Sequence, residues 1–296
     1  MAYTISARER AMFRLTLWAA AILMVLCLLG LAVLSIARSA MEPDEGEPLS
    51  PSQTTEQGDP QNTEQPDNRS DDPDPEKPDE NEPTVSVAVV LPESADMGQA
   101  YIDSMIFLGE STTAHLRSRG VLSDGTATKQ VWADASNTMM LSLEILKNKI
   151  IYPETGEILT IPEAVARKKP AYIVLAFGVN GLSNFAQNQR VYTAAYAKLI
   201  GAIREQSPTT KVILQTVYPV GRSYSGAQEV NQKIDLLNEW LPEIARENGA
   251  YVVDTASCLT DETGMLRDDY AQQDGLHLSA SAYRAILQYL RTHGCP

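Results

Sequence analysis

The sequence predicts an α/β domain in which a parallel sheet of about five strands is covered by helices on both faces. Short apolar runs alternate along the chain with longer segments whose apolar residues recur at helical spacing. This alternation is typical of parallel strands joined by crossover helices. The runs are nearly continuous, as in 171–178 (AYIVLAFG), which is expected of strands buried on both faces. We therefore expect three layers within residues 85–296, a length that suits one domain.

Five apolar runs are the strand candidates, and the first of them stops at a glycine. In chain order the candidates cover residues 105–109, 129–133, 171–178, 211–219 and 250–254. A further apolar stretch at 85–92 is either an extra edge strand or the ordered end of the segment before it.

The helix candidates follow the strands. One begins at Thr112, directly after the first strand, and a second covers 188–206, where a Ser-Pro pair ends the helical pattern. A third covers 227–248 and closes at Gly249, a residue type common just past a helix end. The last begins near Ser279 and runs towards the end of the chain.

An apolar segment near the start of the chain is long enough to cross a membrane. Residues 15–37 are almost entirely apolar, and a membrane-spanning helix needs about 20 such residues. Three arginines precede the segment within residues 1–14, whereas Arg38 alone follows it closely, a bias that keeps the amino terminus in the cytoplasm. We therefore expect residues 1–14 to be cytoplasmic and 15–37 to be a transmembrane signal-anchor helix. Cleavage after Ala37 is the alternative.

Residues 38–84 have the composition of a disordered linker rich in acidic residues and proline. Between positions 41 and 84 there are 15 acidic and 2 basic side chains, and such a stretch cannot bury enough apolar surface to fold. The linker therefore accounts for most of the net charge of −14. The domain at 85–296 is only slightly acidic, so nucleic acid is not an expected partner.

Polar residues of a hydrolytic type follow the strands of the expected sheet. Ser111 comes just after the first strand, Asn180 after the third, and Asp274 and His277 lie between the last strand and the last helix. Ligands bind beyond the carboxyl ends of parallel strands, so we expect these side chains to meet at that edge. A serine, a histidine, an aspartate and an amide together are the parts of an acyl-transfer site.

Three short blocks around these residues resemble the SGNH hydrolases, also called GDSL esterases or lipases. The family pattern of Gly-Asp-Ser, Gly-x-Asn-Asp and Asp-x-x-His corresponds here to Gly109-Glu110-Ser111, Gly178-Val179-Asn180-Gly181 and Asp274-Gly275-Leu276-His277. The order and spacing of the blocks fit, over most of residues 105–293. The resemblance implies a flavodoxin-like three-layer fold and a serine esterase activity that needs no cofactor and no metal.

The resemblance also implies roles for the matching residues. Ser111 would be the nucleophile, His277 the base that takes its proton, and Asp274 the group that holds the imidazole in the useful tautomer. The oxyanion would be bound by the backbone amide of Ser111 and the side-chain amide of Asn180.

The chain departs from the family pattern at three places. Glu110 and Gly181 replace aspartates that stand outside the chemistry, and the glycine of the second family block is missing. Asn137 is the best match for that glycine, because asparagine tolerates a left-handed backbone, and it is the third expected oxyanion donor. Gly178 and Gly181 are the expected substrate-binding positions.

Each site residue also has a simpler interpretation. Ser111 can be a helix N-cap, Asn180 a turn residue, and Asp274 with His277 loop and capping residues. His115 and His293 match no motif and are interpreted as a partly exposed helix residue and a surface residue. Cys258 and Cys295 are expected to remain unpaired, because a helix of about 15 residues separates them and spans about 22 Å.

The leading hypothesis is a membrane-anchored serine esterase that acts outside the cell on O-acyl esters, with O-acetyl groups of cell-wall glycans as the expected substrate. Its partners would be the lipid bilayer, through residues 15–37, and an acylated carbohydrate or a small ester. An O-acyltransferase that uses the same serine, histidine and aspartate is the first alternative. A catalytically silent glycan-binding module is the second, favoured only by the missing glycine of the second block.

Overall fold

The structure is a computed structural model that describes residues 89–296. The segments interpreted as a cytoplasmic terminus (1–14), a membrane anchor (15–37) and a linker (38–84) lie outside the described residues, and so do 85–88. Within 89–296, no helix is both long and apolar enough to cross a bilayer.

A five-stranded parallel sheet forms the centre of the domain. Its strands are β1 (Met105–Gly109), β2 (Val131–Trp132), β5 (Tyr172–Ala176), β6 (Lys211–Gln215) and β7 (Tyr251–Val253). The strand order is β2-β1-β5-β6-β7, the order of flavodoxin-like sheets, and all neighbours run parallel. The expected parallel sheet of about five strands is therefore confirmed.

Helices cover both faces of the sheet. They are α1 (Gln99–Asp103), α2 (Ser111–Ser118), α3 (Ile161–Lys168), α4 (Leu182–Gln187), α5 (Gln189–Gln206), α6 (Ala227–Asn248) and α7 (Ala280–Arg291). Alternate residues of each strand point to opposite faces, and the core divides accordingly. Ile106 and Leu108 pack in one cluster with α3, α4, α5 and α6. Met105 and Phe107 pack in the other cluster with α1, α2 and α7.

The connection between β2 and β5 contains structure that the sequence patterns did not predict. An antiparallel hairpin of β3 (Lys149–Ile151) and β4 (Ile158–Thr160) leads into α3. Thr160 and Glu163 form a capping box at the start of that helix. The N–H of Ile151 donates to the carbonyl of Ala133 at 3.1 Å, so the hairpin is attached just past the end of β2. Strands of three residues are too short to show a clear alternation of apolar and polar positions.

The strand after α5 is shorter than expected. The apolar residues after Gln215 are buried, but their backbone does not continue the sheet ladder. The side-chain amide of Asn238 bonds both the N–H and the carbonyl of Val217, at 2.8 and 2.7 Å. Asn231 does the same for Val220. Two asparagines of α6 therefore replace a neighbouring strand, and β6 ends at Gln215.

The apolar stretch at 85–92 forms less than a strand in the residues that are described. Val90 makes a single parallel bridge to Val252, with Leu91 donating to the carbonyl of Val252 at 2.8 Å. This part of the chain therefore lies along the β7 edge of the sheet without becoming a sixth strand.

Candidate active site

Ser111 lies in a tight turn between β1 and α2. Glu110 occupies the N-cap position and Ser111 is the first residue of the helix, so the simpler interpretation of Ser111 as an N-cap is wrong. A Cβ at Gly109 would lie 2.2 Å from Thr113 Oγ1 and 2.3 Å from the carbonyl oxygen of Ala176. Only glycine permits so close an approach, and the turn leaves the Ser111 hydroxyl partly exposed at the carboxyl edge of the sheet.

The structure brings together the serine, histidine and aspartate that the sequence singled out. Ser111 Oγ lies 3.3 Å from His277 Nε2, across 166 positions of sequence. His277 Nδ1 lies 2.6 Å from Asp274 Oδ2. The side chain of His277 is 26 % exposed and that of Asp274 is 51 % exposed, so the site is open to solvent.

Asp274 is held as a carboxylate by the loop that carries it. Its Oδ1 accepts from the backbone N–H groups of Leu276 and His277, at 3.0 and 2.9 Å. Partial burial acts to raise the pKa of Asp274, but the hydrogen bonds from the His277 ring and these two N–H groups outweigh it and lower the pKa to about 2. A carboxylate that accepts from Nδ1–H leaves Nε2 as the free base facing Ser111.

The last helix connects this loop to the nucleophile helix. The phenol of Tyr283 on α7 donates to the carbonyl of Thr112 on α2 at 2.5 Å. The N–H of Gln272 donates to the carbonyl of His277 at 2.7 Å. The first bond is buried and joins α7 to α2, and the second closes the loop that carries Asp274 and His277.

Asn180 and the loop that follows β2 contact each other. The Asn180 side-chain amide lies 3.4 Å from the carbonyl oxygen of Thr138 and 3.3 Å from that of Met139. These contacts are long for N–H···O bonds, and an amide carries two hydrogens. Asn180 therefore retains donor capacity for a ligand, and its role as an oxyanion donor stays a prediction.

Asn137 adopts the left-handed backbone that the sequence suggested, with φ of 56°. Its N–H, however, donates to the carbonyl of Asp134 at 3.2 Å within the turn. Its side-chain Oδ1 is buried with no partner among residues 89–296. The N–H is thus already engaged, so this geometry does not support the prediction that Asn137 supplies a free oxyanion donor.

Glu110 is a structural link that the sequence marked only as a departure from the family pattern. It is 3 % exposed, and its carboxylate accepts from the backbone N–H groups of Val179 and Asn180 at 2.9 and 2.7 Å. Burial raises the pKa of Glu110 to about 7, against the opposing effect of these backbone donors. The side chain next to the nucleophile therefore holds the loop that carries Asn180.

The two glycines expected to bind substrate have different surroundings. Gly178 is buried, and a Cβ there would lie 2.5 Å from Val217 Cγ2. Close packing against Val217 therefore explains by itself why a glycine occupies position 178. Gly181 is the N-cap residue of α4 and lies against Met140 and Phe185. Substrate contact at either position stays a prediction.

His115 is the site neighbour that the motifs missed. Its ring centroid lies 4.6 Å from that of His277, with the two planes tilted by 50°. The available signal was its spacing, because residues four apart lie on one face of a helix, so His115 follows Ser111 along α2.

Within residues 89–296, no group of three or more His, Cys, Asp or Glu side chains could hold a metal ion.

The family model for GDSL-like lipases and acylhydrolases matches residues 107–285, which is more than half of the chain. The chain belongs to this family, as the three blocks indicated. It is a serine ester hydrolase of the GDSL type.

Three solved structures illustrate the similarity. A GDSL-like lipase from Bacteroides thetaiotaomicron VPI-5482 is 19 % identical, with 64 % of this chain and 86 % of that chain covered and a TM-score of 0.41. A carbohydrate esterase family 3 protein from Talaromyces cellulolyticus is 17 % identical, with 63 % and 93 % covered and a TM-score of 0.42. A variant of an acetyl-xylooligosaccharide esterase from Geobacillus Stearmophilus is 17 % identical, with 71 % and 98 % covered and a TM-score of 0.39. No curated protein sequence matches the chain.

Proposed function

We propose that the protein removes O-acyl groups, O-acetyl in particular, from cell-wall glycans outside the membrane, with Ser111, His277 and Asp274 as its catalytic residues. The observation that carries the proposal is the continuous contact from Ser111 Oγ to His277 Nε2 and from His277 Nδ1 to Asp274 Oδ2. This is the arrangement that turns a serine hydroxyl into a nucleophile.

The reaction follows from that arrangement. Ser111 Oγ attacks the ester carbonyl while His277 Nε2 takes the hydroxyl proton, and Asp274 stabilises the imidazolium that forms. The tetrahedral intermediate collapses, and His277 returns the proton to the departing sugar oxygen, which leaves an acyl-enzyme. Water then attacks the acyl-enzyme with His277 again as base, and the bond between Ser111 Oγ and the acyl carbon breaks. His277 returns the proton to Ser111 Oγ, so the carboxylic acid is released and the free serine is regenerated.

The negative oxygen of the intermediate needs donors close to Ser111. The N–H of Ser111 has no acceptor within its helix, because it is the first helical residue. The amide of Asn180 is the second donor in this proposal. One such donor contributes about 3 to 4 kcal/mol to lowering the barrier.

The substrate class rests on location and on the openness of the site. The apolar segment 15–37 and the acidic linker 38–84 support a catalytic domain tethered outside the membrane. Asp274 and His277 remain accessible to solvent, which suits an ester displayed on a bulky polar polymer. Met140 is 46 % exposed beside Gly181, and this small apolar contact suits a short acyl group.

The test uses the full-length protein in detergent with p-nitrophenyl acetate and with acetylated glycans. Replacing the nucleophile (Ser111→Ala) should lower kcat by about 10⁴-fold or more. The matched control is Ser118→Ala, which alters an exposed serine at the other end of the same helix. Unchanged hydrolysis by the Ser111 variant would contradict the proposal. Transfer of acetyl to an added glycan without free acetate would instead indicate the acyltransferase.

The location has a separate test. Membrane fractionation should recover the protein with the bilayer, and a protease added outside intact cells should cleave it within residues 38–84. Protection from that protease in intact cells, with cleavage after lysis, would contradict the external location without affecting the esterase assignment.

A further inference from the structure

We propose that His115 is a positioning residue for His277: its neutral imidazole packs against the catalytic ring and fixes the orientation from which Nε2 faces Ser111. This inference rests on the proposed function of His277 as the base. It concerns a residue that belongs to none of the three sequence blocks.

The contact geometry is the first observation. The two ring centroids are 4.6 Å apart with a 50° tilt, within the range in which aromatic rings attract one another. Asp274 restrains His277 at Nδ1 and Ser111 lies at Nε2, so both ring nitrogens are engaged at the ring edge. His115 contributes a packing contact of a different kind, between the rings, which hydrogen bonds at the edge do not provide.

The second observation is the environment of His115 Nδ1. This atom is buried and has no hydrogen-bond partner among residues 89–296. A protonated imidazole carries a hydrogen on both nitrogens, and at Nδ1 that hydrogen would have no acceptor. The neutral tautomer with its hydrogen on Nε2 is therefore the form that fits.

Burial is the main cause that lowers the pKa of His115, and the charges of His277 and Arg119 lower it further, whereas Asp274 acts to raise it. When His277 becomes an imidazolium during the reaction, a neutral ring beside it is attractive, whereas a second cation would be repulsive. His115 must be neutral for this role, so its protonation at acid pH should reduce activity.

The experiment compares two substitutions at this position. His115→Ala removes the ring, and we expect kcat to fall by about 2- to 10-fold with KM unchanged, since the contact acts on the base and not on the substrate. His115→Phe keeps a ring and removes the titrating group, so it should restore most of the lost kcat. The Phe variant also lacks the buried unpaired nitrogen. A cooperative thermal unfolding transition should confirm that this variant is folded.

The pH profile separates positioning from simple packing. In the wild type, kcat/KM should show an extra partial loss as His115 becomes protonated at acid pH, at least as large as the loss measured in His115→Ala. In His115→Phe this extra step should be absent. The control is His293→Ala, which removes an imidazole stacked on Tyr289 at 3.7 Å at the far end of α7 and should change neither kcat nor the pH profile.

Two results would overturn the inference: wild-type kcat in His115→Ala, or an acid limb in His115→Phe that is the same as that of the wild type. Either would leave the esterase assignment intact if Ser111→Ala is inactive in the same assay. An inactive wild type would instead count against the proposed function.

Discussion

Asp274 uses its two carboxylate oxygens for different purposes. Oδ2 faces the ring of His277, whereas Oδ1 accepts two backbone N–H groups of its own loop. The loop thus orients the carboxylate before the carboxylate orients the imidazole. A spacing of three residues between an aspartate and a histidine achieves this only when the loop folds back on the aspartate.

Replacing this carboxylate by an amide (Asp274→Asn) should disable the base while leaving the loop largely in place. An amide nitrogen beside Nδ1 favours the wrong imidazole tautomer, and the precedent of serine proteases suggests a loss in kcat of about 10³- to 10⁴-fold with little change in KM. Steady-state kinetics on p-nitrophenyl acetate measures both constants. Asp268→Asn, at an exposed position in the same region, should have wild-type activity, and a loss smaller than tenfold in Asp274→Asn would contradict this role.

At the scale of elements, Glu110 joins the β1–α2 turn to the loop that follows β5. Its two bonds to the backbone of Val179 and Asn180 hold two segments of the site at a fixed separation. A buried carboxylate is costly without full pairing. The raised pKa of Glu110 shows that burial outweighs the donors.

The raised pKa of Glu110 predicts a specific dependence of stability on pH. Its folded pKa of about 7 exceeds the ordinary value of 4.5, so the folded state binds the proton more tightly than the unfolded state. The resulting stabilisation is fully present below pH 4.5 and is lost as the pH rises through 7. Relative to Glu110→Gln, the wild type should therefore lose about 3 kcal/mol of unfolding free energy between these values.

Urea unfolding of both proteins at pH 4.5, 6 and 7.5 measures this difference. Glu163→Gln is a control in which stability should depend on pH with the opposite sign, because hydrogen bonds from Thr160 lower the pKa of Glu163. A difference between wild type and Glu110→Gln that is constant with pH would contradict the buried, proton-binding carboxylate.

At the scale of the whole molecule, the fold keeps Cys258 and Cys295 apart. Cys258 lies in the turn after β7, whereas Cys295 follows α7 and is buried. The 12 residues of α7 span about 18 Å. The two thiols are free, as the topology predicted.

Peptide mapping after alkylation without reductant should therefore find both thiols modified once the protein is denatured. Before denaturation, alkylation should be slow, since burial raises the pKa of Cys258 to about 11 and that of Cys295 to about 12 and only the thiolate reacts. A sample treated with reductant is the control. A cross-linked peptide pair that appears only without reductant would contradict the unpaired state.

Much of the architecture was predictable from sequence because it depends on local patterns. Continuous apolar runs indicate parallel strands that are buried on both faces. Glycine or proline at the end of an amphipathic segment indicates where a helix ends. The shortest elements, such as the strands of the β3–β4 hairpin, were not predicted, because three residues carry too little periodicity. The end of β6 was not predicted, because it depends on Asn231 and Asn238. These side chains lie on α6, further along the chain, and bond the backbone that follows β6 in place of a neighbouring strand.

By itself, the sequence determined the parallel sheet, the position of Ser111 where a strand turns into a helix, and the convergence of three blocks at one edge. All of these follow from chain order and from the geometry of parallel strands. Only the tertiary structure decided that His115 packs on His277, that Glu110 holds the Asn180 loop, and that the N–H of Asn137 is engaged within its turn. Such contacts depend on side-chain direction and on how elements far apart in the chain approach, and local periodicity encodes neither.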